Sequence, residues 1–254
     1  MTDIPVYRPG PRAFGQMLIC ELKMVARDTA GLIVPIGMPV LILVMNASSA
    51  GEQVVAHGRT ALDVFVLPLV FAIVMATTGI VNMPSFLAAY RHSGILRRLG
   101  VTPASPMMVL VAQAVVGIVQ IAVGIAVAYA VAMLAFGANT PVNIGAALGV
   151  LALTVAAMYA VGLIVAALSP TPNSAVAIGL TLFFLLGATG GMFGGMQNLP
   201  EAVATIGQWL PFGAGVQALS SAWVGAPVEA AHLVALAANV VFGTVIAAVF
   251  FRWD

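Results

Sequence analysis

"VFVLPLVFAIVMATTGIVNMPSFLAAYRHSGILRRLG", residues 64–100, opens on an uncharged apolar run from Val64 to Met83 and ends on three arginines, Arg91, Arg97 and Arg98. The run matches the roughly 20 residues that a helix needs to cross a bilayer. An arginine at the bilayer centre costs about 2.5–3.5 kcal/mol on the insertion scale, so three of them place residues 84–106 outside the hydrocarbon. One stretch therefore reads as a membrane span followed by a loop, in a helical chain.

The rest of the chain repeats the pattern. Uncharged runs occupy residues 29–46, 64–83, 107–136, 144–168, 175–195 and 230–251. The composition is 62% hydrophobic and 7% charged, with a mean hydropathy of +1.11. Strands of a membrane barrel would instead alternate over segments of about 10 residues. The chain is thus expected to be an all-α integral membrane protein, a six-transmembrane-helix bundle, and a soluble globular domain is excluded. Charge orients it. Arg8, Arg12, Lys23, Arg27, Arg91, Arg97, Arg98 and Arg252 fall on one side of such a bundle and only Arg59 on the other. The positive-inside rule then predicts that both termini are cytoplasmic.

Residues 1–28 form a cytoplasmic segment ahead of the six-span domain at 29–254. Within it, Phe14, Leu18, Leu22 and Val25 recur at helical spacing, while Glu21, Lys23, Arg27 and Asp28 take other faces. This predicts an amphipathic helix over Gly15–Asp28, lying in the membrane interface. With so long a flank, the first run reads as a retained anchor rather than a signal peptide ending at "NASSAG". Cys20 is the only cysteine, so no disulfide forms within the chain, and nothing marks it as reactive.

Residues 196–229, "MQNLPEAVATIGQWLPFGAGVQALSSAWVGAPVE", are apolar but broken by Pro200, Pro211, Gly213, Gly215 and Pro227. Pieces of about 11 residues span roughly 16 Å as helix, half a bilayer. Two short helices on the outer side, re-entrant or extracellular, are expected between the fifth and sixth spans. Asn198 is placed to cap the first, Pro200 suits its first turn, Pro211 divides the pair, and Trp209 and Trp223 read as interface anchors.

The search for chemistry is mostly negative. No Asp, Glu, Lys or Arg lies inside the six runs, which weakens an ion-coupled carrier. His57, His92 and His232 are too far apart to suggest a metal site, and neither a zinc-protease nor a serine-nucleophile motif occurs. The phosphate-binding loop needs a lysine, and Lys23 in "CELKMV" is the only one. Energy for active transport would have to come from another subunit.

Against that background, "AYRHSGILRRLGVTPASPMMVLVAQ", residues 89–113, resembles the signature after the second span of ABC-2 type transporter permeases. "ELKMVARD", the glycine-rich "GATGGMFGGM" and "NLPEAVATIGQWLPFGAGVQAL" resemble the same family in order and spacing. The chain is also similar to daunorubicin-type drug export permeases of bacterial cytoplasmic membranes. The resemblance implies a non-enzymatic half-transporter: two permease copies, or two paralogues, dock on cytosolic ABC ATPase subunits that hold ATP and magnesium. This chain would itself hold no cofactor and no metal, and no nucleic acid is expected as a partner. Tyr90, Arg91, His92, Gly94, Ile95, Leu96, Arg97, Arg98 and Leu99 would form the ATPase-coupling element, helped by Glu21, Lys23 and Arg27 of the N-terminal helix. One departure is that many relatives carry an acid where His92 or Ser93 stands. Arg97 and Arg98 also suit anionic membrane lipid.

Inside the spans, Gln113, Gly117, Gln120 and Gly124 share one face of the third run, either a packing seam or the lining of a path. Gly190, Gly191 and Gly194 permit close approach or a break into the 196–229 segment. Pro35, Pro39 and Pro68 read as kinks whose lost backbone bonds neighbouring helices restore. An uncharged interior with 7% aromatics suits a hydrophobic small molecule: a drug or antibiotic first, as in multidrug efflux and resistance, a lipid second. Two other classes stay open, a passive channel or uniporter and a membrane scaffold or immunity protein without an ATPase.

Overall fold

The computed structural model describes residues 10–50, 54–56, 58–95 and 106–250. Six of its helices are long and apolar enough to cross a membrane, and the chain is an all-α integral membrane bundle. An N-terminal helix α1 (Pro11–Arg27) precedes the spans α2 (Thr29–Ala50), α3 (Leu62–His92), α4 (Pro106–Phe136), α5 (Ile144–Leu168), α6 (Pro172–Thr189) and α9 (Ala230–Phe250). Two shorter helices, α7 (Glu201–Trp209) and α8 (Pro211–Val224), lie between α6 and α9. A small antiparallel hairpin, Val54–Ala56 with Arg59–Thr60, links α2 to α3.

The second span is the centre of the bundle. Of the most apolar window of α3, 83% is buried within the chain, against 22% for α2 and α9, which leave their apolar surface for lipid. Leu67, Val70, Phe71, Ile73, Met75 and Ile80 of α3 all have essentially no exposed surface.

Prolines explain how so buried a helix bonds its neighbours. A proline has no N–H to return to the preceding turn, and in hydrocarbon the released carbonyl must find another donor. Pro35 releases the carbonyl of Gly31, which accepts both Asn82 Nδ2 of α3 at 2.7 Å and Gln120 Nε2 of α4 at 2.5 Å. Ahead of Pro68, the carbonyl of Val64 accepts the Ser220 hydroxyl of α8 at 2.7 Å. Ahead of Pro84, residues Thr77–Asn82 widen into a π-helical turn, as do Leu62–Val66 ahead of Pro68. The bulging carbonyls of Gly79 and Ile80 press on Gly162 of α5 and Gly179 of α6, where a Cβ would overlap them. Each irregularity of the second span is thus matched by a donor or a missing side chain on a neighbour.

Several boundaries differ from the sequence reading: α1 begins at Pro11 rather than Gly15 and the fifth span at Pro172 rather than residue 175. The second span runs on as helix to His92, carrying Pro84, Tyr90 and Arg91 with it, because the π turn absorbs the proline. The fifth span, α6, stops at Thr189, and Gly191, Gly194 and Gly195 then take positive φ, a backbone open to glycine. The first span continues a turn past Asn46, to Ala50.

Candidate functional site

The end of the bundle that carries α1 is where the last turns of α3 meet other elements. The α1–α2 junction is set by Asp28. Its backbone N–H closes α1 on Met24 and Val25, and its carboxylate accepts Gly31 N–H at 3.1 Å, capping α2. Directly opposite, Asn82 reaches the Gly31 carbonyl. Two turns later the Tyr90 hydroxyl donates to Glu21 Oε1 of α1 at 2.5 Å, with Met24 Sδ 3.3 Å away. The adjacent Arg91 points the other way, its Nη2 donating to the Ser169 carbonyl at the C-terminus of α5. A guanidinium suits that site, because the carbonyl end of a helix carries partial negative charge. Ser169 is itself fully buried, its hydroxyl bonded to Val165 O at 2.6 Å.

Glu21 corrects the sequence pattern. It was expected on a polar face of α1, yet it is buried, while Leu22 is 43% exposed. The packed face runs through Phe14, Leu18, Glu21 and Val25 because Tyr90 supplies the partner that makes a carboxyl tolerable there. Its second oxygen, Oε2, has no hydrogen-bond partner. Burial pushes the Glu21 carboxyl above its ordinary range, and the Tyr90 bond only partly offsets this. Lys23 and Arg27 are exposed at the surface of the same helix.

Beyond His92 the helix closes on Ser93 and on Gly94, whose φ of +69° turns the chain. His92 is exposed and shares with Arg91, Ser169, Pro170 and Phe250 an open cavity of about 510 Å3. Ile95 is 38% exposed. Leu96, Arg97, Arg98 and Leu99, together with Pro103, lie outside the described residues.

The face of α4 named from its spacing contacts three spans. Gly124 meets Val74 of α3 and Ile36 of α2, Gly117 lies against the Tyr159 hydroxyl of α5, and Gln120 holds the Gly31 carbonyl. Gln113 is buried with neither its amide nitrogen nor its oxygen bonded, and the hydroxyls of Thr78 and Tyr159 are unpartnered beside it. Burying an unsatisfied polar group costs about 1–3 kcal/mol, so three in one place require a reason.

The opposite end is built differently. Asp63, fully buried, accepts Asn139 N–H at 2.9 Å and Asn139 Nδ2 at 2.8 Å, and Trp223 Nε1 donates to Asn139 O at 3.1 Å. Phe71, Tyr129 and Trp223 interlock edge to face at 5.4–6.4 Å. Trp223, read as an interface anchor, is therefore a core residue, whereas Trp209 is 54% exposed. Asn198 does not cap α7: its side chain donates to Gly194 O at 2.5 Å, and Pro200 precedes the helix without a side-chain cap. Pro211 opens α8, which is buried along Phe212, Ala214, Ala218 and Leu219. Gly190 ends α6 against Phe212. A cleft of about 300 Å3 between α2, α3 and this region is lined by Asn46, Phe65, Gly191, Gly194 and Gln217.

Asp63, Asn82, Asn139, Tyr159 and Ser169 escaped the sequence reading. Their only signal is a lone polar residue at the edge of, or inside, an apolar run. Among the described residues no group of three or more His, Cys, Asp or Glu side chains gathers as a metal site would.

A bundle of six apolar helices with a docked N-terminal helix is that of a multi-pass membrane protein. A model of the ABC-2 type transporter family matches residues 12–224, from α1 to the end of α8, and the chain belongs to that family. Members are membrane components of ABC systems, which normally pair with an ABC ATPase. No curated protein matches the chain.

Proposed function

We propose that the chain is the permease subunit of an ATP-binding-cassette exporter, moving a hydrophobic or amphipathic solute outward across a bacterial cytoplasmic membrane. The α1 end faces the cytosol, both termini lie there, and two permease copies or paralogues work on a pair of ATPase subunits that bind ATP and magnesium. Residues 90–100 are the coupling element. The observation that carries this reading is that adjacent residues at its base hold different elements, Tyr90 holding α1 through Glu21 and Arg91 holding α5 through Ser169. A push on the segment reaches both at once. The cleft near Gly191 and Gln217 is the outward mouth, with α7 and α8 re-entrant beside it. A drug or antibiotic is the first substrate class, since the six apolar runs carry no charge for an ionic solute.

The test is co-purification with a candidate ABC ATPase, sought first beside the gene, comparing wild type with an Arg97→Glu plus Arg98→Glu variant that still inserts. Loss of the ATPase in the variant alone supports coupling through this segment. Retention in both moves docking to α1. An ATPase that never binds the wild type refutes the exporter reading.

A further inference from the structure

An apolar groove of about 520 Å3 opens on the bundle surface between α4 and α9, toward the α1 end. Its walls include Leu87 of α3, Leu110 of α4 and Leu163 of α5, and its rim is exposed at Met107, Val111 and Thr244. Gln113 and Tyr159 line both this groove and a small inner cavity of about 10 Å3 that Thr78 also borders. Gln113 is 4% exposed, and its amide, like the hydroxyls of Tyr159 and Thr78, has no partner. The volume is that of a drug-sized ligand site, and such sites pair apolar walls with a few placed polar groups. Among the described residues no charged side chain lines either cavity.

We infer that this groove binds a neutral, drug-sized amphiphile arriving laterally from the membrane. Its apolar body lies along Leu87, Leu110 and Leu163, and its hydroxyl or amide group bonds Gln113 and Tyr159. Among the described lining residues an anionic headgroup finds no cation, and a pure hydrocarbon leaves the amide unpaired, so these residues select a neutral hydrogen-bonding group on an apolar frame. As a first station for a transported solute the groove rests on the exporter reading; binding itself does not need an ATPase.

The test uses the purified full chain in phosphatidylcholine vesicles, without ATPase, and a long-chain alcohol bearing a diazirine, with labelled peptides mapped by mass spectrometry. Labels are expected on residues 107–114 and 244–248, displaced by the unlabelled alcohol and not by the alkane of equal length. Gln113→Leu and Tyr159→Phe should each lower labelling about tenfold, the loss of one hydrogen bond to a buried group. Leu163→Trp, which fills the groove and keeps both polar groups, should abolish it. Equal displacement by alcohol and alkane, labels spread over every lipid-facing helix, or labelling unchanged in well-inserted variants would overturn the site. Such a result beside a retained ATPase sinks the groove and spares the exporter reading; labelling as expected without any ATPase binding does the reverse.

Discussion

The two ends of this bundle solve the same problem, joining spans in a medium without water, in different ways. At the α1 end the joints are isolated side-chain bonds: Tyr90 to Glu21, Arg91 to the Ser169 carbonyl, Asn82 and Gln120 to the carbonyl that Pro35 releases. At the other end Asp63, Asn139 and Trp223 form a connected network beside three interlocked rings. A single hydrogen bond contributes about 0.5–1.5 kcal/mol net, and each edge-to-face aromatic pair adds about 0.5–1.5 kcal/mol beyond its buried area. Joints of the first kind can be exchanged one at a time, whereas the network gives way together. The contrast suits a molecule that is moved from the α1 end and held at the other.

The largest effect should come from breaking the network. Asp63→Ala removes two hydrogen bonds from the exposed Asn139 to a fully buried carboxylate and should cost about 3 kcal/mol, read as a lower thermal midpoint in detergent with faster hydrogen exchange over residues 137–143. A variant as stable as wild type would remove the rigid half of the comparison. Next, Gly162→Ala drives a methyl into the Gly79 carbonyl at the π turn. Overpacking of about 2 kcal/mol should outweigh the roughly 1 kcal/mol by which alanine favours a helix. An increase in stability would mean that the π turn relaxes freely.

Smaller effects belong to the α1 end. Tyr90→Phe should lower global stability by no more than about 1 kcal/mol, yet raise hydrogen exchange across residues 11–27 several-fold. If α1 stays as protected as before, Glu21 is not its tether. The smallest expected effect is one of pH. Burial raises the Glu21 carboxyl, so docked α1 keeps a proton that the undocked helix releases. Docking is therefore fully supported below the ordinary carboxyl pKa of about 4.3 and weakens as pH rises through the raised value. Exchange over residues 11–27, corrected for its intrinsic pH dependence, should be slower at about pH 5 than at about pH 8, and Glu21→Gln should erase the difference.

Where sequence reading failed, a partner distant in the chain had changed the meaning of a local pattern. Glu21 breaks the apolar stripe of α1 by helical spacing, and only Tyr90, far along the chain, makes its burial tolerable. Trp223 has the composition of an interface anchor, and Phe71 and Tyr129 turn it into core. Arg91, Arg97 and Arg98 read as placing residues 84–106 in a loop beyond the span, but a π turn ahead of Pro84 carries the helix through to His92. The family resemblance, in contrast, lay in contiguous motifs and needed no contact to be read.

Hydropathy alone determined that this chain crosses a membrane six times as helix, because the transfer of each apolar run into hydrocarbon depends on that run and hardly on its neighbours. The third-span face of Gln113, Gly117, Gln120 and Gly124 was legible for a similar reason, since helical period places those residues together whatever they touch. Only the tertiary structure decided which carbonyl each proline releases to which donor, that Tyr90 and Arg91 pull on different elements, and that Gln113 borders a groove with its amide unpaired. Those outcomes depend on pairs of groups far apart in sequence. In a medium without water, the energy of a polar group is set by the partner that it meets.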